Sequence, residues 1–289
     1  MSHFVDLFQK ANGPSGQSLS AMNERAIGFE RTTMSQAASF HEIPVEELDI
    51  QPDTRIVYHG DPASPGADRF RLLRMRLCEL ATLIRLKTLL ITSPLPHEGK
   101  STVALNLATA LAEHGKQRVL LIEGDLYHSC LAPRLNLTAR AGLAECLEDA
   151  SNPMPHIRRL EPLGWCLLSA GEPHRNPTEL LQTEAFPGMM RQLSTHFDWI
   201  LIDSPPVLPL TDALLLKQQT DASFLVVRAG QTPGNAVDEA IALLGPKHVA
   251  GVILNCAEKL GKLYSGYYYD SPYYKRERKT AWAQSKSNR

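Results

Sequence analysis

The stretch ITSPLPHEGKSTVALNLATALAEHG, residues 91–115, predicts the fold more directly than any other part of the chain. It contains an apolar strand, a turn rich in helix breakers, the letters GKST, and a helix that we expect to end at Gly115. Such a turn directs backbone N–H groups at an anion, and the dipole of the following helix assists. This order predicts a phosphate site in an α/β fold.

The predicted phosphate site gives individual residues a role. Lys100 would reach the β- and γ-phosphates of a nucleotide, and Ser101 would offer its hydroxyl to Mg²⁺. A strict phosphate loop carries glycine at position 94, where this chain has Pro94, so GKST alone is also compatible with a simple helix cap. The residues that we expect to contact the nucleotide are Pro96, His97, Glu98, Gly99, Lys100, Ser101 and Thr102.

Acidic residues at the ends of two other apolar runs favour the nucleotide interpretation. The run WILID ends at Asp203, and RVLLIEGD ends with Glu123 and Asp125. Asp203 would hold Mg²⁺ through its water shell, with Asp125 as a further metal ligand. Asp125 or Glu123 would also orient and deprotonate an acceptor hydroxyl. A lone acid after a strand is usually a solvated turn, but several beside a lysine loop predict an ATP–Mg²⁺ site.

The rest of the chain alternates short apolar runs with helical stretches. This is typical of strands buried on both faces of a mostly parallel sheet flanked by helices, here one α/β domain over residues 67–262. Residues 1–66 lack a sustained apolar period and are expected to form a flexible arm. The predicted strands are TLLIT (88–92), RVLLIE (118–123), GWCLLSA (164–170), WILID (199–203), FLVV (224–227) and GVILN (251–255). A preceding amphipathic helix is predicted from Phe70, Leu73, Leu77, Leu80 and Ile84.

Composition excludes several other classes of protein. A net charge of -1 gives no overall basic field for nucleic acid. The five cysteines show no C-x-x-C spacing, so neither a disulfide framework nor a zinc site is indicated. No signal peptide or apolar run of membrane-spanning length is visible, and we expect a cytoplasmic protein.

The C-terminal segment 263–289, called here the tyrosine-rich tail, has the most unusual composition in the chain. Gly266, Asp270 and Pro272 would interrupt a strand there, which favours phosphoacceptors over a packed aromatic patch once a kinase site is granted. The basic run KRERK (275–279) follows, either as a solvated face or as a contact for acidic groups. The predicted acceptors are Tyr264, Tyr267, Tyr268, Tyr269, Tyr273 and Tyr274.

Together these motifs resemble those of the bacterial tyrosine autokinases of capsular and exopolysaccharide synthesis. SPLPHEGKST (93–102) resembles the family's Walker A motif, VLLIEGDL (119–126) its Walker A′ and ILIDSPPVLPLTDALLL (200–216) its Walker B. SAGEPHRNPTELL (169–181) resembles the intervening segment. GVILN resembles the strand whose final residue, here Asn255, lies near the nucleotide base.

The resemblance carries several expectations. It implies a P-loop NTPase fold of the deviant-Walker type, ATP and Mg²⁺ as cofactors, and autophosphorylation that regulates polysaccharide polymerisation and export. The family's oligomerisation helix is matched by Asp68, Arg71 and Arg74, with Asp68 in place of glutamate, so a homo-oligomer is implied. A membrane polysaccharide co-polymerase with a cytosolic tail is the implied activator, which would hold the chain at the inner face of the membrane.

The sequence also departs from the family pattern. His97 stands where glycine is frequent, Glu123 replaces the first aspartate of Walker A′, and Tyr127 replaces its usual arginine. These changes leave open a second interpretation, a nucleotide-binding switch or pseudokinase scaffold of the septum-positioning and partition ATPase class. Those ATPases carry a second lysine at the position of Leu95, and its absence favours the kinase.

Overall fold

The computed structural model of the protein describes residues 43–115, 117–174 and 176–257. Within these ranges one sheet has the strand order β1-β4-β5-β3-β6-β2-β7-β8. All neighbours pair in parallel except β4 and β5, which pair antiparallel. The strands are β1 (Val45–Glu47), β2 (Thr88–Thr92), β3 (Val119–Glu123), β4 (Arg158–Glu161), β5 (Trp165–Leu168), β6 (Trp199–Asp203), β7 (Ala222–Arg228) and β8 (Val249–Asn255).

Helices connect most of the strands, as a parallel sheet requires. Helix α3 contacts β2, β3 and β6, and its buried residues run without interruption from Val103 to Ala112. The helices are α1 (Val57–Gly60), α2 (Pro65–Leu83), α3 (Lys100–Ala112), α4 (Leu131–Arg134), α5 (Leu143–Glu148), α6 (Pro177–Leu181), α7 (Ala185–His196), α8 (Asp212–Lys217) and α9 (Gly234–Leu244). No helix in these ranges combines the length and apolar character needed to cross a bilayer.

The centre of the sheet determines where polar side chains can converge. Every residue of β2, β3 and β6 is buried, because each run is apolar along nearly its whole length. The register pairs Asp203 with Glu123 on one side and with Ile91 on the other. The carboxyl ends of three adjacent parallel strands therefore meet at one place, where a doubly wound sheet binds its ligands.

Most of the predicted strands and the amphipathic helix are present. TLLIT and WILID match β2 and β6 residue for residue, and the other four predicted runs overlap β3, β5, β7 and β8. Helix α2 buries Leu77 completely, whereas Ile84 follows its end and is 53% exposed. Helix α3 ends at Ala112, and a 3-10 turn continues to Gly115.

The structure differs from the expected organisation in its N-terminal part. A compact unit begins at Ile43, which is buried together with Ile56, so residues 43–66 belong to the folded domain and not to an arm. Strands β1 and β4 escape prediction because their sequences, VEE and RRLE, contain few apolar residues. The expected boundary at 262, the tyrosine-rich tail and residues 1–42 lie outside the described residues.

Candidate active site

The phosphate loop connects β2 to α3 over residues 93–99. Gly99, immediately before α3, has a φ of +90°, and a Cβ there would lie 2.2 Å from Nδ2 of Asn255. Only glycine fits both this backbone conformation and this close approach. Its φ and the start of α3 at Lys100 place the first N–H groups of the helix around one point, which is the geometry that binds a phosphate.

Two predicted nucleotide-binding residues stabilise the loop through contacts within the chain. The buried carboxylate of Glu98 accepts the hydroxyl of Thr232 and, at 3.5 Å, the backbone N–H of Leu95. Asn255 donates its side-chain N–H to the carbonyl of Glu98 at 2.9 Å. The Glu98 carboxylate thus supports a loop that lacks the strict glycine at position 94, and Asn255 attaches the end of β8 to the same loop.

Asp203 has a buried side-chain oxygen without a partner at this edge of the sheet. It is 1% exposed, and its Oδ1 has no hydrogen-bond partner among the described residues. Burial raises the pKa of Asp203 to about 7, although the charge of Lys100 and a hydrogen bond from Ser101 oppose the shift. A buried carboxylate oxygen without a partner is costly, so this position fits a bound cation.

Asp125 lies beside Asp203 and is also buried. Its Oδ1 accepts the backbone N–H of His128 at 3.0 Å, and its negative charge contributes to the raised pKa of Asp203. Its Oδ2 forms no hydrogen bond within the described part of the chain. Lys100, Ser101 and Asp125 all act on the carboxyl of Asp203, so these four residues lie near one another, and their roles in binding and catalysis stay predictions.

Glu123 has a different environment from the one expected. Its carboxylate is 1% exposed and accepts three backbone N–H groups, from Cys130, from Leu131 at 2.6 Å and from Ala170 at 3.2 Å. Burial raises its pKa even though these hydrogen bonds lower it. The extra methylene lets the side chain reach the turn before α4, so the geometry favours a structural clamp over the predicted catalytic base.

Sequence reasoning missed several residues around the site. Cys130 is exposed, and its Sγ lies 3.5 Å from Oγ of Ser101. Arg134 donates to the hydroxyl of Thr102 at 2.9 Å and to the carbonyl of Thr54, which joins the phosphate loop to the N-terminal segment. The position of both residues just after the Walker A′ motif was the available signal.

A second buried acid lies in the Walker B segment. Asp212 is 1% exposed and accepts the hydroxyl of Thr178 at 2.7 Å, while its Oδ2 has no partner among the described residues. The phenol of Tyr127 lies 3.2 Å from the same Thr178 hydroxyl. Since Thr178 donates to the carboxylate, Tyr127 donates to Thr178, and the chain of hydrogen bonds fixes the residue that replaces the family's arginine.

The arginines predicted to bind a neighbouring subunit are paired within the chain. Arg71 and Arg74 contact opposite oxygens of Glu113, at 3.1 and 2.5 Å, and Asp68 lies 3.2 Å from Arg71. The guanidinium of Arg71 also lies over the ring of Tyr58, 5.0 Å from its centroid. These contacts join α1, α2 and the end of α3, so the argument that the arginines suit a partner better than their own core is not supported.

The chain is similar to known proteins over the part that contains this site. The family model described as cellulose biosynthesis protein BcsQ matches residues 96–237. The tyrosine-protein kinase YwqD of Bacillus subtilis (strain 168) is 32% identical over 211 residues, which cover 72% of this chain and 87% of that protein. The chain belongs to the bacterial tyrosine-protein kinases.

Two further similarities define the extent of the match. The kinase is 38% identical over 142 residues to the tyrosine-protein kinase ptk of Acinetobacter johnsonii, a match that covers 49% of this chain but only 19% of that longer protein. The kinase domain of the Escherichia coli tyrosine kinase ETK superposes with a TM-score of 0.66 at 26% identity, over 69% of this chain and 79% of that one. The predicted α/β P-loop fold of the deviant-Walker type is confirmed.

Proposed function

We propose that the kinase transfers the γ-phosphoryl group of ATP, with Mg²⁺, to tyrosines of its own tyrosine-rich tail. The observation that carries this proposal is the unpartnered Oδ1 of Asp203 beside Lys100 and Ser101. A site with a buried carboxylate oxygen, a lysine and a helix N-terminus is complete only with a cation and an anion together. A magnesium nucleotide supplies both.

The residues present suit Mg²⁺. This ion prefers oxygen ligands and usually binds through one or two carboxylates together with substrate phosphates. Asp203, Asp125 and the Ser101 hydroxyl offer such oxygens, whereas no group of three or more His, Cys, Asp or Glu side chains in the described ranges is arranged to hold a metal by itself. When bound, Mg²⁺ would neutralise charge on the transferring phosphoryl group.

Each side chain then has a distinct task. Lys100 would bind the β- and γ-phosphates, and the backbone N–H groups that follow Gly99 would hold them in place. Asp203 and Ser101 would orient the ion. Asp125, with one carboxylate oxygen free of hydrogen bonds, is the better candidate to accept the proton of the attacking phenol, because the Glu123 carboxylate is already used by backbone amides.

The wider role we propose is control of exopolysaccharide or capsule synthesis, in line with the family resemblance and with the cellulose biosynthesis model that matches residues 96–237. The proposed partner is a membrane co-polymerase whose cytosolic tail activates the kinase and keeps it near the inner face of the membrane. A groove of about 610 Å³ between α2 and the edge strand β8 is lined by Gly99, Thr102 and Asn255, so we assign it to the nucleotide that these residues are predicted to contact. Self-association into a homo-oligomer would let one tail enter a neighbour's site.

The test is phosphate transfer by the purified protein. Incubation with γ-labelled ATP and Mg²⁺ is expected to label tyrosine, more strongly when the partner's cytosolic tail is added. A variant with phenylalanine at all six tail tyrosines should lose most of the label. Label that stays on another segment of that variant would contradict the acceptor assignment while leaving the kinase activity in place.

A second candidate is a nucleotide-binding switch without phosphate transfer. It is favoured by one observation, the engagement of the Glu123 carboxylate by three amides, which removes one acid from the chemistry. This interpretation expects nucleotide binding with no phosphotyrosine under any condition, including saturating partner. Mass spectrometry of the incubated protein separates the two.

A further inference from the structure

We propose that Arg134 is a positioning residue of the nucleotide site, which acts by directing the hydroxyl proton of Thr102 at a phosphate oxygen of the nucleotide. Its guanidinium donates to Oγ1 of Thr102 at 2.9 Å. Arg134 lies outside the segments that resemble the family's motifs. The inference rests on the proposed function, because Thr102 is a predicted nucleotide contact, and it adds to that function a residue that acts through another side chain.

The hydroxyl of Thr102 is placed where it can bind a ligand. Thr102 lies in the first turn of α3 and lines the groove between α2 and β8. A hydroxyl can donate one hydrogen bond and accept two. The oxygen of Thr102 accepts from Arg134, but its proton has no acceptor within the described residues. The proton is therefore available to a ligand in the groove, and a phosphate oxygen is a strong acceptor.

The guanidinium determines the direction of that proton. Because Arg134 occupies one lone pair of the oxygen, the hydroxyl proton of Thr102 must point away from the guanidinium. Without Arg134 the hydroxyl is free to rotate, and threonine hydroxyls in helices can donate to the carbonyl four positions earlier, here that of Glu98. Loss of Arg134 should thus weaken the binding of a phosphate even though the hydroxyl itself is still present.

Arg134 is itself held in place from two directions. It is the last residue of α4, and the carboxylate of Glu123 accepts the backbone N–H of Leu131 at the start of the same helix, at 2.6 Å. A second N–H group of the guanidinium donates to the carbonyl of Thr54 at 2.6 Å. The guanidinium is planar and its N–H groups have fixed directions, so two acceptors on different segments determine its orientation.

The alternative is that Arg134 only joins the segment before α1 to the rest of the domain. That segment has an independent attachment, because the side chain of Asn106 accepts the backbone N–H of Val57 at 2.8 Å and donates to the carbonyl of Arg55 at 2.9 Å. The variant Arg134→Gln is therefore expected to fold, and its effect on nucleotide binding can be separated from its effect on stability.

The experiment is a double-mutant cycle on the full-length protein, with Mg²⁺–ADP as the probe and calorimetry as the measurement. Arg134→Gln should raise the Kd about five- to tenfold, and Thr102→Val should raise it by a similar factor. The double variant should bind no more weakly than Thr102→Val alone, because the hydroxyl through which Arg134 acts is already missing. Arg134→Lys replaces the planar fork by one ammonium group, and it should raise the Kd by a smaller factor that again disappears in the Thr102→Val background.

Two controls separate positioning from stability and from charge. The free energy of unfolding without nucleotide, measured on every variant, gives the structural cost of each change. Arg140→Gln removes an exposed arginine with the same change in net charge, and it should leave the Kd unchanged.

Three outcomes overturn the inference. Arg134 is only structural if Arg134→Gln lowers stability but leaves the Kd unchanged. It does not act through Thr102 if the factors of the two single variants multiply in the double variant, and the effect is one of net charge if Arg140→Gln weakens binding as much. A wild-type protein that does not bind Mg²⁺–ADP would contradict the proposed nucleotide site together with this inference. Because no phosphate transfer is measured, an inactive kinase would not affect this result.

Discussion

The aspartates at the two ends of strand β6 differ in their hydrogen bonding and in the direction of their pKa shifts. Asp198, just before the strand, accepts the backbone N–H and the guanidinium of Arg118, both at 2.8 Å. Asp203, its last residue, has a buried oxygen without a partner. Burial acts on both carboxylates, but the contacts with Arg118 hold the pKa of Asp198 below its usual value, whereas the pKa of Asp203 rises to about 7.

Other polar residues at the two edges of the sheet differ in the same way, in whether their side chains have hydrogen-bond partners within the chain. At the amino edge, one oxygen of Asp221 accepts the backbone N–H and the hydroxyl of Thr88, at 2.7 and 2.8 Å. At the carboxyl edge, Lys100 forms no side-chain hydrogen bond or ion pair within the described residues. Polar groups satisfied inside the chain stabilise the fold, and those left unsatisfied mark the place where a ligand completes the structure.

The largest effect is expected at Lys100. The change Lys100→Met should reduce tyrosine phosphorylation by at least about 100-fold, because it removes the cation that neutralises the transferring phosphate. The melting temperature should change little, since the ammonium forms no hydrogen bond or ion pair in the described structure. Lys217→Met, in the last turn of α8, is the matched control and should remain active. A Lys100→Met protein that still labels itself on tyrosine would remove Lys100 from the site.

The two ends of β6 can be compared directly by changing each aspartate to asparagine. Asp198→Asn should lower the free energy of unfolding by about 1–3 kcal/mol, because Arg118 loses its partner. Asp203→Asn should raise it by about 1–2 kcal/mol at pH 8 without ligand, because a buried unpaired charge disappears. Urea unfolding with and without Mg²⁺–ADP measures both, and the ligand should stabilise only the Asp198 variant and the wild type. Equal destabilisation by the two changes would make Asp203 a structural residue.

The pH dependence of these variants follows from the pKa directions. A raised carboxyl pKa favours folding at low pH, so the advantage of Asp203→Asn should shrink as the pH falls through about 7. A lowered carboxyl pKa favours folding at high pH, so the cost of Asp198→Asn should persist above about pH 3.9 and decline as the pH falls below it.

Much of the carboxyl edge could be predicted from the sequence, because strands, glycine and charged residues there are separated by short, regular spacings. The roles of Glu123 and Glu113 could not. Glu123 reaches amides 7, 8 and 47 positions away in the chain, and Glu113 meets arginines from a helix about 40 positions earlier. Contacts over such distances depend on packing and not on local pattern. Strand β4 was missed because RRLE contains few apolar residues and because its partner β1 lies far away in the chain.

A smaller effect on the free energy of unfolding is expected when the arginine pair of α2 loses its partner. Glu113→Gln should cost about 1–2 kcal/mol of stability, because two guanidinium groups lose a charged partner. The charges and hydrogen bonds of Arg71 and Arg74 outweigh burial and lower the pKa of Glu113, so the cost should disappear as the pH falls below about 4.3. The matched control is Glu79→Gln, which breaks an exposed pair with Arg76 and should change stability by less than about 0.5 kcal/mol.

The same cluster tests self-association. The double change Arg71→Ala and Arg74→Ala should lower the melting temperature like Glu113→Gln, because both break one internal cluster. If sedimentation shows a smaller assembly for the double variant but not for Glu113→Gln, the arginines also contact a neighbouring subunit, as the family resemblance implies. If both variants keep the wild-type mass, their role is confined to the chain itself.

The smallest effect, about 1 kcal/mol, is expected for Glu123→Gln, and its order relative to Glu123→Asp shows which role the side chain has. Gln keeps the reach of the side chain, so its oxygen can still accept from Cys130 and Leu131, and only the contact with Ala170 is lost. Asp is too short to reach the turn and leaves those buried N–H groups unpaired. A clamp therefore predicts that Glu123→Asp harms both stability and activity more than Glu123→Gln. A catalytic base predicts the reverse for activity, because Gln accepts no proton. Activity and unfolding measured on both variants would show whether the acid at the centre of the carboxyl edge belongs with Asp203 or with the satisfied residues of the amino edge.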